Sequence, residues 1–299
     1  MGQLSDNTRG ALLMMASMAS FAFGDTCVKA TGGALPISQL LVLRGLLSTA
    51  FIAVLAWRLG ALRWDFGGRD WALIALRSVS EAAAAYFFIT ALLHMPLANV
   101  TALLQVLPLA VTLASAVLFA EPVGWRRWLA IALGFGGMLL IVKPGADGFN
   151  AYTIYALISV VCVTIRDLST RRMSRTVPSL MVTLAASATV LGFAGIWSLW
   201  QDWVPLTPTL TWLLLGSTVF IVGGYSFAVM VMRVGDVSFV APFRYTGLLW
   251  AMVLGLVVFG DFPGPTTLLG AAIVVASGVY TLLRERTLRR QAVANARRT

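Results

Sequence analysis

The sequence predicts an all-α integral membrane protein of ten transmembrane helices, arranged as two inverted five-helix repeats with both termini in the cytoplasm. Composition, the spacing of long apolar runs and an internal repetition carry this expectation. Of 299 residues, 59% are hydrophobic and 11% charged, and the mean hydropathy is +0.86. Soluble domains carry about a quarter charged residues, so most of this chain's surface is built for lipid.

Crossing about 30 Å of hydrocarbon takes roughly 20 apolar residues. The first such run lies near 10–31; it is read as a helix and not a cleaved signal segment, because it has a counterpart later in the chain. After Gly32-Gly33 and Pro36 comes 38–58, and after Gly67-Gly68 comes 70–92. The runs 97–119 and 124–143 follow, with Pro122 between them and Pro144-Gly145 closing the second. A second series covers 151–172, then 179–200 after Pro178, 209–232 after Pro205 and Pro208, 237–259, and 265–284 after Pro263. No room is left for a soluble domain.

The net charge of +10 is distributed by connector. Arg58, Arg63 and Arg69, then Arg126 and Arg127, then Arg171, Arg172 and Arg175, then Arg233 fall at alternate connectors, and six arginines from Arg284 to Arg298 fill the tail. Lys143 is the clear exception on the opposite side. This is the positive-inside pattern of a multi-pass protein of the cytoplasmic (inner) membrane with both termini inside. It makes nucleic acid an unneeded partner, and anionic lipid headgroups suffice for the tail.

Leu118 opens LFAEPVGWRRWL and Val258 opens VFGDFPGPTTLL, which align without gaps: Phe119 with Phe259, Glu121 with Asp261, Leu129 with Leu269, at a shift of 140 (261 − 121). Upstream, Asp25, Lys29 and Pro36 match Asp167, Arg171 and Pro178 at a shift of 142 (167 − 25). The chain therefore reads as residues 1–147, a second copy over 148–286, and a basic tail over 287–299. Because five is odd, the second copy enters the membrane from the other side. Inverted duplication suits alternating access around a central site, since exchanging the conformations of the halves exchanges the side that is open.

Chemistry-bearing residues are few. His94 is the single histidine, so a histidine metal site or proton relay is not expected, and Cys27 and Cys162 lie inside spans. No GxxxxGK[ST] loop is present, which argues against an ATP-driven pump in one chain. The GFGG of Gly134 to Gly137 sits in an apolar run and reads as close packing. No cofactor is implied, and a membrane enzyme lacks the paired catalytic ligands it would need.

Within the segment VAPFRYTGLLWAMVLGLVVFGD, Arg244 lies about seven residues, or roughly 10 Å, into the ninth span. An arginine near the bilayer centre costs at least about 2.5–3.5 kcal/mol on insertion scales, so it should face protein, water or substrate. Gly247, Ala251 and Gly255 form a small-residue stripe for close helix contact, and the phase of Arg244 relative to that stripe predicts an inward side chain. At the shift of 140, Arg244 and Tyr245 stand where the first repeat has Leu104 and Gln105, so the charge is not part of the duplicated scaffold. Arg244 either pairs with a buried carboxylate or takes a substrate carboxylate through two parallel hydrogen bonds.

Arg77 and Glu81, Asp25 and Lys29, and Asp167 and Arg171 are each four apart and are expected to pair along their own helices. Arg44, Arg166 and Arg244 then need partners from elsewhere, with Asp167 also open to Arg166. Glu81 can balance a cation, hold a substrate ammonium or carry a coupling proton. Phe21, Tyr86, Gln105, Tyr225, Tyr245 and Trp250 are candidates to line a cavity, while packing and interfacial anchoring are their ordinary alternatives. Pro108 and Pro242 fall inside the fourth and ninth runs and are candidate bending points.

The two five-helix copies, with LFAEP echoed by VFGDF and the penultimate segment APFRYTGLLWAMVLGLVVFGD, resemble EamA-type exporters of the drug/metabolite transporter superfamily. The resemblance covers nearly the whole chain. It implies a secondary transporter that exports small metabolites, amino acids and in particular aromatic ones among them, with drugs or other metabolites as the alternative cargo and a passive channel as the alternative class. One departure is Asp261, where the family often has Glu at the end of the ninth helix.

Overall fold

The computed structural model describes residues 6–120, 124–143, 150–174, 176–234 and 237–296. Glu121, the repeat junction at 147/148, Arg175 and the last three residues of the tail lie outside the described residues. Every regular element among the described residues is helical: α1 (Asp6–Ala30), α2 (Ile37–Arg58), α3 (Gly68–His94), α4 (Leu97–Leu104), α5 (Leu107–Phe119), α6 (Trp125–Val142), α7 (Tyr152–Arg172), α8 (Ser179–Ser198), α9 (Pro208–Val234), α10 (Val237–Val240), a 3-10 turn (Ala241–Tyr245), α11 (Thr246–Phe259) and α12 (Pro265–Ala296). Among the described residues, ten segments are long and apolar enough to cross a membrane, counting Leu97–Phe119 and Ala241–Phe259 as one each.

Two of the ten spans are interrupted. In the fourth, α4 stops at Leu104 and α5 starts at Leu107. Pro108 has no amide hydrogen to donate and its ring crowds the carbonyl four residues back, at Leu104, which accounts for the place of the break. In the ninth, the backbone around Pro242 tightens into the 3-10 turn before α11 begins. The two interruptions fall at matching repeat positions, Gln105 against Tyr245, although the two prolines do not match (108 + 140 = 248). Helix ends agree as well: Ala120 after α5 and Gly260 after α11, again 140 apart, both adopt left-handed backbone with φ of 50° and 67°. That conformation is ordinary for glycine and costs alanine roughly 1–2 kcal/mol.

The chain forms two compact units. One comprises Met1–Ala22, Pro96–Asn150 and Gly223–Thr299; the other comprises Phe23–Met95 and Ala151–Val222. Helices α1 and α9 contribute residues to both. In the first unit α6 packs on α12 and α11 on α4. The α6–α12 contact is glycine-mediated: a Cβ on Gly137 would stand 2.8 Å from the Gly270 carbonyl oxygen and 2.9 Å from Ile273 Cγ2. Thus GFGG is a close-packing surface, consistent with the small residues that membrane helices use to approach one another. In the second unit α3 packs on α7 and α8, and α2 on α8. There the Gln39 side chain donates to the Val204 carbonyl at 2.8 Å and accepts from the Val204 amide at 2.9 Å, and Thr49 and Ser187 hydroxyls meet at 2.6 Å. These side chains thereby satisfy one another and the backbone without water, as a bilayer favours.

Candidate functional site

Phe21, Gln105, Pro108, Tyr225, Pro242, Arg244, Tyr245 and Trp250 all fall in the first unit, whereas Asp25, Lys29, Arg77, Glu81, Tyr86, Arg166, Asp167 and Arg171 fall in the second. The first set is built around the two helix interruptions. Gln105 follows α4, and its Nε2 lies 3.9 Å from where a Cβ on Gly247 would stand, with Met18 of α1 at 3.6 Å from the same point. Gly247, Ala251 and Gly255 are all buried, and the absence of side-chain bulk at Gly247 lets α1 and the Gln105 turn approach α11.

Tyr245 ends the 3-10 turn and is 6% exposed. Its hydroxyl is buried and finds no hydrogen-bond partner among the described residues. The ring is directed at Gly278 of α12, where a Cβ would overlap the hydroxyl and stand 2.6 Å from Cζ. A glycine at 278 is therefore the condition for this rotamer, a dependence that nothing in sequence spacing revealed. A second ring is housed in the same way. Phe21 meets Tyr225 edge-on at 5.3 Å, and a Cβ on Gly224 would stand 2.8 Å from the Phe21 ring. Ser17, one turn earlier on α1, donates to the Gly224 carbonyl at 2.8 Å and fixes that register.

Arg244 is exposed on the first unit. Tyr225 and Trp250 are also on the exposed side, at 39% and 37%.

In the second unit the charged residues find cross-helix partners. Arg166 of α7 reaches Glu81 of α3 at 3.3 Å and its neighbour Asp167 at 2.9 Å, so one guanidinium holds two carboxylates. Arg77 donates to Thr170 Oγ1 at 3.1 Å and to the Val182 carbonyl at 3.4 Å, tying α3 to α7 and α8. Lys29 donates to the carbonyls of Leu92 and Met95 at 3.3 and 2.7 Å, the C-terminal end of α3, where a cation suits the helix dipole. Arg44 is buried on α2, and its charge acts on Asp25. The partners thus include contacts beyond the four-residue spacing along each helix, because a long cation in a bundle reaches carbonyls and carboxylates of adjacent helices as readily as its own.

Tyr86 belongs to an aromatic cluster that sequence reasoning did not assemble. It lies 5.4 Å from Trp197, 6.4 Å from Tyr155 and 5.1 Å from Phe87, ring centre to ring centre. His94 stacks on Tyr152 at 3.9 Å, and its Nδ1 is 2.8 Å from the Thr90 carbonyl. No group of three or more histidine, cysteine, aspartate or glutamate side chains is placed to hold a metal ion among the described residues.

Ten spans, two interrupted helices at matching positions and two polar-aromatic clusters are the setting for the comparison with known proteins. The EamA-like transporter family matches residues 8–143 and again 150–283, two consecutive copies that cover nearly the whole chain. The protein belongs to the EamA-like transporter family, within the drug/metabolite transporter superfamily. Among curated relatives, the S-adenosylmethionine uptake transporter of Rickettsia bellii is 26% identical over 64% of this chain and 65% of its own length. The riboflavin transporter of Vibrio cholerae is 31% identical over 62% of each chain. The pseudopaline exporter of Pseudomonas aeruginosa is 25% identical over 89% of this chain and 93% of its own. The chain thus matches just under two thirds of the length of the first two relatives and almost all of the third. A solved crystal structure shares the fold with a TM-score of 0.63 at 18% identity, covering 94% of this chain and 99% of the other. The family is one of transporters, and each of these curated relatives is named as a transporter or an exporter.

Proposed function

We propose that this EamA-like protein is a secondary transporter that exports small amphipathic metabolites, amino acids including aromatic ones, across the cytoplasmic membrane by alternating access. The two repeats are inverted, both termini are cytoplasmic, and the energy comes from a gradient of the solute or of protons without ATP. The observation that carries the substrate reading is the pair of adjacent helix interruptions in the first unit. Unwound backbone at membrane depth is tolerated where it lines a cavity, and broken helices are where secondary transporters hold substrate. Gln105 stands at one interruption and Tyr245, with a buried hydroxyl still to be satisfied, at the other. Arg244, exposed beside Tyr245, supplies the carboxylate partner. Phe21 with Tyr225, and Trp250, offer ring faces to an aromatic side chain; within the second unit by itself, Glu81 beside Arg166 and Tyr86 among its aromatic neighbours are separate candidate cargo contacts. Asp25, Lys29, Asp167, Arg171, Arg77 and Arg166 act as gating ion pairs, with Pro108 and Pro242 at the flexing points.

A second reading is favoured by the relatives. Proteins named for S-adenosylmethionine, riboflavin and pseudopaline point to larger metabolites, and the first two cargoes carry flat heteroaromatic rings that would suit the same aromatic side chains. The relatives also differ in direction, with uptake in one name and export in another.

Counterflow in proteoliposomes separates these readings. Vesicles preloaded with phenylalanine, threonine, riboflavin or S-adenosylmethionine receive labelled tracer of the same compound. Transient saturable accumulation with phenylalanine or threonine supports the amino-acid reading, and accumulation only with the larger compounds replaces it with the second. Arg244→Gln should lower carboxylate exchange by about ten- to a hundredfold while the protein stays monodisperse, because a charge-assisted hydrogen-bond pair contributes roughly 1.5–3 kcal/mol. Wild-type exchange by that variant would remove Arg244 from the site. Inside-out membrane vesicles assign direction: export requires accumulation in their lumen.

A further inference from the structure

At one end of the first unit, Gly124, Trp125, Arg126, Arg127 and Arg284 line a cavity of ≈ 270 Å³. Two arginines come from the start of α6 and the third from α12, so the same packing that joins Gly137 to Gly270 further along brings three guanidinium-bearing residues together. The Arg126 guanidinium carbon sits 5.4 Å from the centre of the Trp125 ring, which restrains it by a cation–π contact. Gly124 precedes α6 without any side-chain cap, so no side chain competes for the first helical amides beside the cavity. Charge is in excess in the sequence too. The stretches 121–127 and 284–290 hold six arginines against two carboxylates, Glu121 and Glu285.

The surface running away from this cavity is apolar. Trp125, Leu129, Leu133 and Leu140 are spaced by four, four and seven residues, which keeps them on one face of α6, and all are exposed, from 71% at Trp125 to 37% at Leu140. A cluster of arginines that continues into a stripe of tryptophan and leucine two to four turns long has the polarity of a phospholipid: an anionic group at one end and hydrocarbon at the other. Free phosphate or a soluble anion would use the arginines and have no use for the stripe.

We infer that this cavity is a binding site for the phosphodiester headgroup of an anionic phospholipid, with one acyl chain lying along the Trp125–Leu140 face of α6. Arg126, Arg127 and Arg284 hold the phosphate oxygens, and Trp125 marks the level of the interface. The site is independent of the substrate reading, because it lies at a span end and not at the interruptions near Gln105 and Tyr245.

Native mass spectrometry of the full chain tests this in detergent supplemented with phosphatidylglycerol or phosphatidylcholine, with sn-glycerol 3-phosphate as a soluble competitor. Wild-type protein and Arg63→Gln, an exposed loop residue paired with Asp65, should retain phosphatidylglycerol equally. The double variant Arg126→Gln/Arg284→Gln should weaken retention on the order of five-fold per arginine removed. Equal retention by the double variant overturns the site, as does phosphatidylcholine held as firmly as phosphatidylglycerol by the wild type. Displacement of the lipid by millimolar sn-glycerol 3-phosphate overturns the lipid assignment in favour of a soluble phosphate ester. The lipid comparison and the competition use the wild-type chain, so the inference stays open to refutation even if the double variant misfolds.

Discussion

Removing the Tyr245 hydroxyl separates a packing role from a substrate role in one substitution. A buried hydroxyl without a partner carries a desolvation penalty of about 1–3 kcal/mol, and Tyr245 Oη finds no partner among the described residues. Tyr245→Phe lifts the penalty, keeps the ring against Gly278 and leaves only a one-atom void. We expect stabilisation of about 1 kcal/mol, which in a chain of this size raises the midpoint of thermal unfolding by roughly 2–4 °C. Exchange should move the other way. If the hydroxyl gains a substrate partner, losing that bond removes about 0.5–1.5 kcal/mol, up to roughly a tenfold loss of apparent affinity. Both quantities can be measured on one preparation, by intrinsic-fluorescence melting in detergent and by counterflow after reconstitution. A more stable variant with unimpaired exchange would refute the substrate role, and a less stable variant would show that the hydroxyl already has a partner in the folded protein.

Three further outcomes follow from the packing. Gly278→Ala should cost about 1–3 kcal/mol, the usual penalty of overpacking, since its Cβ would overlap the Tyr245 hydroxyl; combined with Tyr245→Ala, the loss should be at least 1 kcal/mol smaller than the sum, and strict additivity in melting would contradict the contact. Gly137→Ala should destabilise by a similar amount through Gly270 and Ile273, while Gly136→Ala, with open space around it, should leave the midpoint unchanged; equal effects at both would remove the glycine-mediated α6–α12 contact. Ala120→Gly should raise stability by up to about 1 kcal/mol, because φ of 50° strains alanine and not glycine, and a destabilised variant would contradict the left-handed backbone there.

The spans were legible to within a few residues because bilayer thickness fixes their length. The sequence reading placed a helix over 38–58 and the structure has Ile37–Arg58; it placed one over 124–143 and the structure has Trp125–Val142. Hydropathy has no sensitivity to a missing backbone bond, so the fourth and ninth spans read as continuous, and only Pro108 and Pro242 signalled bending. Charge partners were the least legible part. A four-residue spacing says which side chains on one helix can meet, but Arg166 with Glu81, Lys29 with the end of α3 and Arg77 with Thr170 depend on which helices pack together. The Tyr245 hydroxyl, without a partner among the described residues, and the room left by Gly278 have no one-dimensional signal at all.

Backbone and chemistry have diverged at different rates across the two repeats. Gln105 and Tyr245 occupy matching positions, each at a helix interruption, and Ala120 and Gly260 occupy matching left-handed turns. The geometry persists although its local causes differ: Pro108 acts on the carbonyl of Leu104, whereas Pro242 lies six repeat positions earlier (248 − 242 = 6), inside the 3-10 turn. A deformation retained while its sequence cause moves is held in place by the surrounding helices, chiefly α11 against α4. The side chains carried by that shared deformation are not symmetric. Leu104 and Gln105 face the problem of an uncharged turn, while Arg244 and Tyr245 add a cation and a phenol to the equivalent one. The shared break is thus a property of the backbone, and the cation and phenol beside it are a property of the second copy alone.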